Sequence, residues 1–170
     1  GPRRLLAGAP HDEHVRDAVT GLDATTLTRR PAPDANTIGW LVWHLTRVED
    51  GHVAEVLEVD QEWVTGDWAD RFGLPPDPRN SGFGHTSEQV DAVRPDGPDA
   101  LLGYHAAVAA RTRAHLAGLS PTDLDRIVDE RWDPPVSLGV RLVSIADDQI
   151  QHAGQALYAR GILERGATPG

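Results

Sequence analysis

"SLGVRLVSIADDQIQHAGQALYARGIL", Ser137–Leu163, decides the fold. With about 100° per residue and Ile145 set inward, Leu138, Leu142, Ala156, Ala159 and Leu163 fall within about 60° of it. That period predicts a long helix with one face in a core. Asp148 and His152 share the apolar stripe, four residues apart and therefore one turn apart. Asp147 points well away from it. A carboxylate among apolar groups is expensive unless a cation, a proton or several donors compensate it. Packing alone does not explain the pair.

Working outward, three more long segments carry the same period. Asp12 is the expected N-cap of a first helix, in which Val15, Ala18, Val19 and Leu22 are spaced i, i+3, i+4, i+7. The Pro-rich "LTRRPAPDAN" connects it to a second helix, capped by Asn36 or Asp34 and running through Leu57. On that helix a lone imidazole, His44, shares a face with Trp40, Leu41, Val48 and Gly51. A third helix is expected from about Pro98 to Leu119, with Leu101, His105, Val108, Thr112 and Leu116 near one face. "SPTDLDRIV" reads as a short capped helix beginning at Ser120. No segment reads as a convincing strand.

The stretch from about 60 to 98 breaks the pattern. "GLPPDPRNSGFGH" cannot continue a helix, and short helical turns flank it in "WVTGDWADRF" and "SEQVDAV". Trp63, Trp68, Phe72, Phe83 and His85 make this connection too aromatic for a free linker. It is expected to form a wall or lid over a site. The fold class is all-α: a four-helix bundle with a long, partly helical connection between helices two and three.

Composition narrows the function. A chain of 170 residues, 39% hydrophobic and 25% charged, is expected to form one domain over 1–170. Gly1-Pro2 reads as the scar of a cleaved purification tag, which fits the absence of any Met. No run approaches the ~20 apolar residues of a membrane span, and a cytoplasmic protein with no membrane partner is expected. A net charge of −10 without a basic cluster argues against nucleic acid. With no Cys, any thiol chemistry must use a small-molecule thiol from outside. All 16 basic residues are Arg, a bias expected of a high-GC bacterial genome.

Facing helices of an antiparallel bundle can bring His44, Asp148 and His152 together. Two His nitrogens and one carboxylate oxygen are a usual three-ligand set that leaves positions for water or substrate. Imidazole suits zinc and nickel, and a single oxygen argues against magnesium or calcium. Asp148 paired with a protonated His152 is the competing reading. Trp40, His105 and Arg160 are further candidates, as residues lining or anchoring a substrate. Arg160 could equally complement a helix C-terminus. His52 is expected at the rim, and Ser144 has no base at a recognisable spacing.

"NTIGWLVWHLTRVEDGH" together with "DDQIQHAGQALYARG" resembles the DinB-like superfamily of four-helix bundles. It includes bacillithiol and mycothiol S-transferases and mycothiol-dependent maleylpyruvate isomerases. The resemblance runs from about Leu22 to Leu163, and "GFGHTSEQVDAVRP" is similar to the middle segment of actinobacterial members. It implies a metal triad at His44, Asp148 and His152. Many members carry His at the position of Asp148, and the isomerases carry a Glu.

The resemblance implies a metal-dependent enzyme, with mycothiol as a co-substrate transferred to small electrophiles. A metal-assisted hydrolase or lyase without a thiol, and a non-catalytic small-molecule-binding bundle, are the alternatives. A homodimer is also expected, because Val136, Val143, Ile150 and Leu157 recur every seven residues opposite Asp148 and His152, with Gly154 and Gly161 beside them.

Overall fold

A computed structural model describes residues 10–166. Four long helices carry the core: α1 (Pro10–Val19), α3 (Ile38–Leu57), α7 (Pro98–Ala117) and α8 (Leu138–Gly166). Between α1 and α3 lies the single-turn α2 (Ala24–Leu27). Three short helices, α4 (Glu62–Thr65), α5 (Trp68–Arg71) and α6 (Ser87–Ala92), form the connection from α3 to α7. The all-α bundle expected from the periodicity is the fold observed.

The central helix is α3. It packs most extensively on α8 and also meets α7, while α1 lies against α8. Nearly every side of α3 is covered, from Ile38 through Leu45 and on to Val53 and Ala54, as its high apolar content requires. Along α8, Leu138, Leu142, Ile145, Ala153, Ala156 and Ala159 are buried. The three alanines present little bulk, which lets the helices approach closely beside the polar residues. Each fully buried Leu or Ile contributes about 1.5–3 kcal/mol, so every polar residue in this stripe displaces a stabilising one.

Helix ends correct the expected caps. α3 is capped by Thr37, whose hydroxyl accepts from the Trp40 N–H at 3.0 Å. Thr37 has the extended backbone a cap needs, whereas Asp34 is left-handed at φ 59°. α1 already runs from Pro10, so Asp12 lies in its first turn. The Asp12 carboxylate reaches His105 and Arg113 on α7 instead. Ser120 and Asp123 form the capping box of a 3-10 turn, Pro121–Asp125.

One element went unexpected. Strands β1 (Ile127–Asp129) and β2 (Val136–Ser137) pair antiparallel just before α8. Two or three residues are too few to show alternation.

The connection is anchored by its aromatics. Trp63 and Phe72 are fully buried, and Trp63 meets Trp43 and Tyr104 edge-on or tilted at ring distances of 6.0 and 5.4 Å. Trp68 is half-buried against Tyr104. Phe83 does not join them and is 93% exposed. No described helix is long and apolar enough to cross a membrane.

Candidate metal centre

His44 projects from the middle of α3, and Asp148 and His152 project from α8 directly opposite. Asp148 Oδ1 lies 3.9 Å from His44 Nε2 and 3.5 Å from His152 Nε2. One ligand atom from each residue falls within a 4.8 Å cluster. Ligands at tetrahedral corners about 2.0–2.1 Å from zinc stand roughly 3.3 Å apart, so a slight contraction would close this set around an ion. Asp147 is on the exposed side and accepts from Gln151, as the helical wheel requires.

Each imidazole is oriented from behind. His44 Nδ1 donates to the Ser81 carbonyl at 2.5 Å, which leaves Nε2 as a lone pair aimed at Asp148. His152 Nδ1 pairs with the Gln155 side-chain oxygen at 2.8 Å, with the same consequence. Holding the far nitrogen of a His in this way is how metal-ligating imidazoles are fixed in one tautomer. Trp40 stacks on the His44 ring at 4.6 Å and 11°, and its indole N–H donates to His85 Nδ1.

The charges are unevenly compensated. Asp148 Oδ2 is buried and has no hydrogen-bond partner. An unpaired buried carboxylate oxygen is costly, and a cation bound here would offset that cost. The nearby Asp148 carboxylate lifts His152 above its ordinary pKa, against desolvation. Burial pulls His44 below its ordinary value, with the Ser81 carbonyl and Asp148 opposing. A metal ion held here would therefore compete with a proton for the His152 lone pair. The donor set, the free Nε2 atoms and the orphaned oxygen all fit a divalent ion.

The other candidates fall in different places. Trp40, 6% exposed, sits against His44 and edge-on to His152. His105 is turned toward α1, with Nε2 3.0 Å from Asp12 Oδ1. Arg160 donates to the carbonyls of Asp17 and Thr20 at the end of α1 and pairs with Glu164. The structure brings Trp40 to the cluster and engages His105 and Arg160 in holding helices together. His52 accepts from Arg141 at 2.7 Å and lines a cleft of about 690 Å³ shared with Ser81, Arg79 and Arg131.

Several residues escaped the sequence reading. Gln149 is fully buried and donates to the Leu45 carbonyl and to Glu49, each at 2.9 Å. It lies about 40° from Ile145 on the wheel, so the signal was present. Arg47 and the Asn80–Ser81–Gly82 stretch also shape the site, through backbone contacts that no residue pattern announces.

The mycothiol-S-transferase family model matches residues 9–165. The chain belongs to that family. Among solved structures it is similar to a crystal structure from Enterococcus faecalis, described as the conserved protein of locus. Identity is 28%, the TM-score is 0.86, and the match covers 96% of this chain and 95% of that one. No curated protein matches the chain. Membership in the mycothiol-S-transferase family agrees with the DinB-like resemblance of the two helices that carry His44, Asp148 and His152.

Proposed function

We propose that His44, Asp148 and His152 hold one divalent ion, zinc or nickel, and that the protein transfers a small-molecule thiol to a small electrophile. The observation that carries this reading is Asp148. Its Oδ1 faces two imidazole Nε2 atoms while its buried Oδ2 has no partner. A divalent ion in such a set lowers the pKa of a bound thiol and supplies a nucleophile near neutral pH.

This chain's residues contribute orientation and enclosure. The Ser81 carbonyl and Gln155 keep both Nε2 lone pairs on the ion's side. Trp40 and the connection wall off one side of His44. Asp148 and His152 side chains stay 24% and 19% exposed, so the cluster is open to solvent. The cleft lined by His52 and Ser81 has the volume of a small-molecule site; Ser81 links it to His44, although none of His44, Asp148 and His152 lines it. With no Cys in the chain the thiol comes from outside, and the family and the Arg-only basic composition support mycothiol.

We also propose a homodimer. On α8, Val140, Val143, Ile150 and Tyr158 are exposed, and nothing lies within 4 Å of a side chain built at Gly154. Val136 and Leu157 leave the expected stripe: Val136 is half-buried in β2, and Leu157 packs on the core.

Turnover of a model electrophile by zinc- or nickel-loaded protein tests the transfer reading. Mycothiol-conjugated product is expected, with none in the absence of thiol. Product formed equally well without thiol would make the protein a hydrolase or lyase. Metal-independent ligand binding without turnover would leave it a binding bundle.

A further inference from the structure

Arg47 is an expensive residue in an expensive place. It lies on α3 one turn beyond His44, is 1% exposed, and stacks 5.0 Å over the Trp63 ring. Its charge faces Asp50 at 3.4 Å, and Tyr104 bridges the two, accepting from Arg47 and donating to Asp50. The rest of the guanidinium is spent on one loop. Nε donates to the Asn80 carbonyl at 3.0 Å, and Nη2 to the carbonyls of Pro78 at 3.1 Å and Asp77 at 3.4 Å. The planar fork suits this task, and a lysine could not hold the same set.

The next carbonyl along is Ser81, the one that accepts from His44 Nδ1. A carbonyl can only accept, so the proton must sit on Nδ1. A free histidine side chain favours its proton on Nε2, the nitrogen that here faces Asp148. Gly82 follows, with φ +93°, and a Cβ there would lie 2.8 Å from Trp43 and 2.9 Å from His44 Nδ1. The loop comes this close to His44 because residue 82 has no side chain.

We infer that Arg47 and the 77–82 segment form a clamp that sets the tautomer and orientation of His44, with Arg47 as its positioning residue. Asp50 and Tyr104 fix Arg47, Arg47 fixes the loop carbonyls, and Ser81 fixes the imidazole. The clamp stands on hydrogen bonds of the chain itself; its effect on metal affinity rests on the proposed metal centre.

Two variants release it from opposite ends. Arg47→Met keeps the apolar stem and removes the donors. Asp50 then still accepts from Tyr104, from the backbone N–H groups of Glu62 and Trp63 at 2.9 Å, and from Arg111, so its burial stays compensated. Gly82→Ala pushes the loop from His44 and leaves the Arg47 contacts to Asp50 and Tyr104 in place. Imidazole 15N NMR of metal-free protein reads the tautomer, and zinc titration reads the affinity. Wild type should show His44 protonated on Nδ1, and both variants should shift to mainly Nε2–H with zinc affinity about 10–100-fold weaker. Variants that melt earlier yet keep Nδ1–H, or a wild type already protonated on Nε2, would overturn the clamp. A shifted tautomer with unchanged zinc affinity would sustain the clamp and refute its effect on the metal centre. A wild type that binds no zinc while both variants shift the tautomer would sustain the clamp and refute the metal centre.

Discussion

Asp148→Leu separates a metal ligand from a tolerated polar core residue, because the two readings agree on stability and disagree on binding. Replacing Asp148 removes a buried carboxylate oxygen that has no partner, which relieves about 1–3 kcal/mol. It also removes the 3.5 Å pairing with His152, a partly exposed contact worth about 0–1 kcal/mol. The metal-free variant should therefore gain on the order of 1 kcal/mol, or about 2–4 °C in melting temperature for a chain of this size. Zinc at a hundredfold over its Kd stabilises the native state by about 2.7 kcal/mol, and that shift should appear in wild type and vanish in the variant. The assay is a thermal melt of chelator-treated protein, with and without zinc. A variant that melts several degrees lower when metal-free, or that keeps the zinc-induced shift, would refute the reasoning.

Glu49 is fully buried, and burial pushes its pKa up, with His105 and Thr112 opposing. The folded state keeps a proton that the unfolded chain releases, so Glu49 costs stability increasingly as pH rises above the ordinary glutamate value of 4.5. Glu49→Gln should raise the melting temperature at pH 7 and have little effect near pH 4; an equal effect at both would contradict this. Light scattering at micromolar concentration should find a dimer, and a Val143→Glu/Ile150→Glu variant should be monomeric. A monomeric wild type removes the α8 interface. Because a proton competes for His152, whose pKa is raised by Asp148, apparent zinc affinity should fall steadily as pH drops from 8 to 6. A flat profile would show that His152 does not bind the ion.

The parts of this protein written along single helices could be read without coordinates. Asp148 and His152 stood out because i,i+4 polar residues interrupt an apolar stripe, and His44 because it is a lone imidazole on a core face. Gln149 sits in the same stripe and was readable by the same rule. Arg47 and Ser81 were not, since their contacts at the site run through loop carbonyls, which every residue possesses and no sequence pattern marks. Arg160 shows the same limit from the other side. It does complement a helix C-terminus, but that of α1 rather than its own, a partner set by tertiary packing. The exposed Phe83 and the buried Trp63 were equivalent in sequence. Tertiary packing separates them, since Trp63 is enclosed by Trp43, Phe72 and Tyr104.

Metal content is the most direct test of the metal centre. Protein purified without a histidine tag, reconstituted with zinc or nickel and desalted, should retain about one ion per chain. His44→Ala, lacking one of three ligands, should retain almost none. Wild-type protein left metal-free after reconstitution with either ion, or a His44→Ala variant that keeps the full complement, would contradict the account.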